Sequence, residues 1–108
     1  MTKAEVIAEI ASLIEKEGGK KIEKEDVSIV VEAFFNVVKE NMANGENIYV
    51  RGFGSFINKK RAKKKGRDIS KNTIIEIEEH YIPSFKPAKI FLEQVKFSQV
   101  LKEKNLKE

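Results

Sequence analysis

Residues 59–71 hold eight lysines and arginines against one acid, Asp68, and they lie between two stretches in which apolar residues alternate with polar ones. The run carries +7 while the whole chain carries +4, so the remainder stands at −3. Burying so many like charges without partners costs far more than a small core returns. The segment must therefore project into solvent, and its flanks say in what form. Before it, Ile48 and Val50 alternate with Tyr49 and Arg51, Gly52 and Gly54 bracket Phe53 as a tight turn or bulge, and a second strand runs through Phe56. After it, Ile75 and Ile77 alternate with Glu76 and Glu78 in a third strand ending near Ile82 and Pro83. The order strand, basic excursion, strand describes a long β-hairpin with a cationic tip.

Helical patterns surround this hairpin. Thr2 and Glu5 have the spacing of a capping box, and Val6, Ile7, Ile10, Leu13 and Ile14 follow at helical intervals up to Gly18 and Gly19. The first helix is expected over residues 3–17. A second apolar stripe, Val27, Val30, Val31, Phe34, Val38 and Met42, is too long for a strand and stops at Gly45. Ile29, Phe35 and Val37 widen that stripe beyond what one thin core needs, so a second subunit is expected to cover it. Pro87 suits the first position of a third helix containing Ile90, Phe91, Val95 and Leu101, with a charged tail behind it.

Chemistry of other kinds finds little support. A chain of 108 residues has room for one domain, expected to span residues 1–108, with the arm at 58–75 and a C-terminal helical extension at 96–108. Without cysteine there is neither a disulfide framework nor a thiolate metal site. No apolar run is long enough to span a bilayer, and the N-terminus lacks the apolar centre of a signal peptide. His80 is the only histidine, and no set of partners at metal-ligand spacing accompanies it. Gly52 and Gly54 lie between strands and lack the third glycine of a nucleotide-binding loop. The expectation is a non-enzymatic protein without cofactor, metal or small-molecule substrate.

The hairpin suits one task. Lysine and arginine neutralise phosphates and release condensed counterions, which supplies sequence-independent affinity for DNA. In an extended arm Lys59, Arg61, Lys63, Lys65 and Arg67 share one face, a row of cations at strand spacing.

Three separated segments carry a resemblance. Residues 51–56 (Arg-Gly-Phe-Gly-Ser-Phe), the run Lys65-Gly66-Arg67, and residues 82–89 (Ile-Pro-Ser-Phe-Lys-Pro-Ala-Lys) resemble the bacterial histone-like HU and integration host factor family, in register over about residues 2–95. The resemblance implies an α+β fold: an intertwined dimer with a helical base and a sheet extended into two β-ribbon arms. It implies Phe34, Phe53, Phe56 and Phe85 as the aromatic centre of the dimer. It implies Arg51, Ser55, Lys59, Arg61, Lys64, Lys65, Arg67, Lys86 and Lys89 as phosphate and groove contacts, and Lys63 joins them as an arm cation. One position departs from the family. Where relatives usually carry a proline wedge at the arm tip, this chain reads Gly66-Arg67-Asp68-Ile69, and Ile69 is expected to take the wedge's place. Asp68 sets a like charge near phosphate there, and Asn72 is expected to adopt the left-handed conformation that the tip turn requires.

The expected function is architectural: binding duplex DNA in the minor groove and bending or compacting it, as a homodimer or as a heterodimer with a paralogue, in the cytoplasm on the bacterial nucleoid. Two rivals are an RNA-binding basic hairpin and a scaffold dimer whose lysines are merely solvated. A narrow A-form major groove and the scarcity of exposed aromatics count against the first.

Overall fold

A computed structural model describes residues 1–107, with side chains described through Lys104. The chain forms two compact units, residues 1–40 and 41–108. In the first, helix α1 (Lys3–Gly18) opens where the Thr2 hydroxyl accepts a hydrogen bond from the Glu5 backbone N–H at 3.3 Å. It closes where Gly19, in the left-handed conformation at φ 65°, donates to the Glu15 carbonyl. Such a cap satisfies carbonyls that the last turn leaves unpaired. Helix α2 (Lys24–Ala43) begins with Glu25 and Asp26 in its first turn, where acids favour the helix dipole. Ile7, Ala11 and Val27 form a small apolar cluster that joins α1 to α2, flanked by Ile10, Ile22 and Val31. An ion pair between Lys3 and Glu32 adds a second link and holds the Glu32 carboxyl below its usual range.

The second unit is built on an antiparallel sheet of order β1-β2-β5. Strands β1 (Ile48–Val50) and β2 (Gly54–Arg61) are joined by a tight turn in which Phe53 N–H donates to the Val50 carbonyl at 3.0 Å and Gly52 sits at φ 79°. The expected Gly-Phe-Gly turn is therefore present. Strands β3 (Lys64–Asp68) and β4 (Thr73–Ile77) form a separate two-stranded ribbon. Strand β5 (His80–Pro87) returns along the full length of β2, from Arg61 opposite His80 to Gly54 opposite Pro87. The third predicted strand, expected to run to near Pro83, is divided between β4 and β5, and β5 continues to Pro87. Pro83 is tolerated because β5 is an edge strand, where a missing N–H need not break the ladder.

Two helical expectations are corrected. Pro87 ends β5 and does not begin a helix; α3 (Lys89–Lys96) starts one residue beyond the extended Ala88 cap. Nor does that helix run on through Leu101. It stops at Phe97, and α4 (Gln99–Lys107) starts anew where the Ser98 hydroxyl accepts from the Leu101 N–H at 3.3 Å. A serine that caps a new helix competes with continuation of the old one.

Gly54 has a role that no other residue can fill. A Cβ there would lie 2.6 Å from the Lys86 carbonyl oxygen and 2.6 Å from the Phe85 ring. Gly54→Ala should therefore force β2 and β5 apart at the base of the arm and cost about 1–3 kcal/mol, as overpacking typically does. Thermal unfolding measures this, and an unchanged midpoint would show that the strands approach less closely.

The apolar residues are mostly uncovered. Only Ile7, Ala11, Val27 and Met42 are buried hydrophobics among the described residues, while Val30 is 67% exposed and Phe34 47%. Four buried side chains are far too few to offset the ordering of a chain this long.

Candidate nucleic-acid interface

The two paired segments of the arm, β2 with β5 and β3 with β4, keep one register. Pairing of β2 with β5 ends at Arg61 opposite His80, and pairing of β3 with β4 begins at Lys64 opposite Ile77, so the count across the hairpin is unbroken through residues 62–63 and 78–79. Cross-strand partners share a face. Lys59, Arg61, Lys65 and Arg67 thus lie on one side with Ile82, His80, Glu76 and Ile74 opposite them. Lys64 lies on the other, opposite Ile77. Lys63 falls in the link between strands, and its Nζ lies 3.0 Å from Glu76 Oε1 and 3.8 Å from Glu78 Oε1. Lys60, which sequence reasoning left out of the interface, pairs with Glu79 at 3.4 Å. Each of these exposed pairs contributes only about 0–1 kcal/mol.

At the ribbon's base, Ser55 stands opposite Lys86 across β2 and β5. Both join Arg51, from the β1–β2 turn, around a shallow concavity of about 360 Å³. Lys89 is the first residue of α3, two residues past the end of the same strand. The structure therefore gathers Arg51, Ser55 and Lys86 at one place and sets Lys59 to Arg67 along the ribbon.

The tip is an ordered turn. Asp68 Oδ1 accepts from the Ser70 hydroxyl at 2.7 Å, from the Ser70 N–H at 3.1 Å and from the Lys71 N–H at 3.4 Å. The Ser70 hydroxyl above all holds the Asp68 carboxyl below its usual range, against an opposing effect of burial and with help from the backbone donors. Asn72 takes the left-handed conformation at φ 51°, as expected, and its Oδ1 accepts from Arg67 Nη2 at 2.7 Å. Asp68 is thus spent on shaping the turn, a role that its charge alone did not reveal. Between these anchors Ile69 is 91% exposed.

Behind the base lies an aromatic cluster. Phe85 lies 5.1 Å from Phe53 and 5.2 Å from Phe56, ring centre to ring centre, and Phe91 of α3 stacks on Phe53 at 5.3 Å. The sequence pattern makes Phe91 an apolar position of the third helix and does not encode what it packs against. Phe53 and Phe85 remain 43% and 37% exposed. Phe34, on α2, tilts against Phe35 at 5.8 Å. Among the described residues no helix is long and apolar enough to cross a membrane.

A sheet whose strands run out into a cationic ribbon, with an ordered turn presenting one apolar side chain, defines a β-ribbon nucleic-acid-binding protein. The sequence profile of the bacterial DNA-binding protein family matches residues 1–96. The chain belongs to that family, whose members are architectural DNA-binding proteins and not enzymes. Among its relatives, the DNA-binding protein HU of Thermotoga maritima is 38% identical, over 89% of this chain and 100% of its own length. The integration host factor subunit beta of Colwellia psychrerythraea is 33% identical, over 91% of this chain and 98% of its own. Among solved structures, HU of Anabaena in a cocrystal with DNA superposes with a TM-score of 0.76 at 26% identity, covering 91% of this chain and 100% of that one. A variant of Thermotoga maritima HU gives 0.60 at 29% identity, covering 88% and 99%. The α+β fold with extended β-arms is that of these neighbours.

Proposed function

We propose that the chain acts in the cytoplasm, on the bacterial nucleoid, as a dimer that grips duplex DNA with two β-arms and bends it. The single observation that carries this reading is the ribbon itself: cations on both its faces, and at its tip an isoleucine that nothing covers. Dimerisation rests on the uncovered apolar surface of α2 and of the aromatic cluster. Phe34, Phe53, Phe56 and Phe85 would supply the subunit contact, with Phe91 added to them. The partner is a second copy or a paralogue. Arg51, Ser55, Lys86 and Lys89 hold phosphates at the base, and Lys59, Arg61, Lys63, Lys64, Lys65 and Arg67 follow the groove. Residues 1–108 serve as one functional domain, with the arm at 58–75 as its gripping part and residues 96–108 as an extension.

A gel shift with duplex DNA, RNA and a non-nucleic polyanion separates this reading from its rivals. Preference for duplex DNA is expected, and equal retention by all three polyanions would reduce the arm to a solvated charge run.

Ile69 supplies the bend in this reading. Apolar wedges separate base pairs at a cost of a few kcal/mol, offset by the protein surface that bent DNA can reach. Ile69→Ala keeps every cation, so affinity for straight duplex should persist while the bend angle falls. Ile69→Pro should preserve bending. Ring closure at saturating protein decides the matter, and unchanged bending by Ile69→Ala would eliminate the wedge.

A further inference from the structure

The outgoing half of the arm is strongly cationic, but the returning half is not. Residues 72–82 hold Glu76, Glu78 and Glu79 and no lysine or arginine, so the hairpin from 59 to 82 carries +4 where its outgoing run alone carries +7. Those carboxylates are not idle. Glu76 and Glu78 flank the Lys63 ammonium at 3.0 and 3.8 Å, and Glu79 meets the Lys60 ammonium at 3.4 Å. Nearer the tip, Lys64 and Lys65 make no ion pair among the described residues. The ribbon therefore has a partly neutralised middle, where Lys60 and Lys63 are paired while, among the described residues, Lys59 and Arg61 are not, and an open cationic end.

We propose that Glu76, Glu78 and Glu79 act as built-in phosphate mimics that occupy Lys60 and Lys63 until duplex DNA displaces them. The inference rests on the DNA-binding reading above and assigns these three residues a part in setting its strength. A carboxylate oxygen 3 Å from an ammonium occupies the position that a phosphate oxygen takes, so the two acceptors compete for one donor. All five side chains are at least half exposed, so a phosphate can reach them. Ion pairs so exposed are weak, which makes the arrangement a mask that DNA can remove and not a lock. Removal has a signature. When a lysine passes from glutamate to phosphate, the freed carboxylate attracts a cation from solution, which offsets part of the counterion release that drives binding. Affinity and salt dependence are then both lower than the lysine count implies. The unpaired cations engage first, and Lys60 and Lys63 engage only where phosphates come close enough to displace the glutamates.

The test is a salt titration of duplex binding by the full chain and by the triple variant Glu76→Gln, Glu78→Gln, Glu79→Gln. The variant should bind about tenfold more tightly at moderate salt for each arm that engages, from roughly threefold for each of the two lysines released. Its log–log salt slope should steepen by up to about 0.9 for each unmasked lysine. The same three changes are then made in a background carrying Lys60→Gln and Lys63→Gln. There the gain should vanish, because no masked lysine remains. A gain that persists in that background would mean that the glutamates merely repel DNA, and would overturn the mask. Unchanged affinity and slope in the triple variant, with the unaltered protein binding duplex normally, would overturn this inference alone. Failure of the unaltered protein to bind duplex would overturn the DNA-binding reading as well.

Discussion

Raising monovalent salt from about 50 to about 200 mM should weaken duplex binding by about a thousandfold or more. Among the proposed contacts, Arg51, Lys59, Arg61, Lys64, Lys65, Arg67, Lys86 and Lys89 give eight cations per protomer outside the ion pairs of the arm. Twice that set per dimer is enough to supply about six to ten phosphate contacts, and such a number produces a loss of about 10³–10⁵ over this range. Lysine or arginine to glutamine at any one of these positions, changed on both arms, should make the slope shallower by about two units at most. Fluorescence anisotropy with a short duplex measures both. An affinity independent of salt would remove phosphate neutralisation as the basis of binding, even if a complex formed.

The second large effect concerns assembly. Phe34→Ala should cost about 3–5 kcal/mol, the usual range for truncating a buried phenylalanine, although Phe34 is 47% exposed in the isolated chain. The full cost applies only if a partner covers the ring, so the size of the effect reports on the dimer itself. A loss of that size weakens association by roughly two to four powers of ten. Because the stability of an obligate dimer depends on protomer concentration, the variant's thermal midpoint should fall and rise again with concentration. Sedimentation and thermal melts over a concentration series measure this. A stable, folded monomer of the unaltered protein at micromolar concentration would refute the expectation directly.

Both effects trace to features visible in the sequence at different depths. The two early helices were legible because their signals are local: Thr2 and Gly19 satisfy backbone groups within one turn of themselves, and Gly45 lies just beyond the end of α2. The cationic arm was legible for a related reason, since an unpaired block of charge can lie only in solvent and alternation fixes its faces. Ile69 stood out as an apolar residue with no apolar pattern around it, and the structure places it in the open. The excess apolar width of α2 likewise foretold a surface that one chain does not cover.

What the sequence by itself determined is thus whatever depends on neighbours a few residues apart, or on charge too dense to bury. What only the tertiary structure decided depends on register, which brings together residues far apart along the chain. Lys63 and Glu76, or Lys60 and Glu79, become partners only once the hairpin pairs in one particular alignment, because shifting a strand by one residue turns every side chain to the opposite face. Likewise Pro87 follows a pattern that fits a helix start, yet pairing with Gly54 across an edge strand holds it extended. Phe91 joins the aromatic cluster because α3 follows the end of β5 directly, a placement that no local signal encodes.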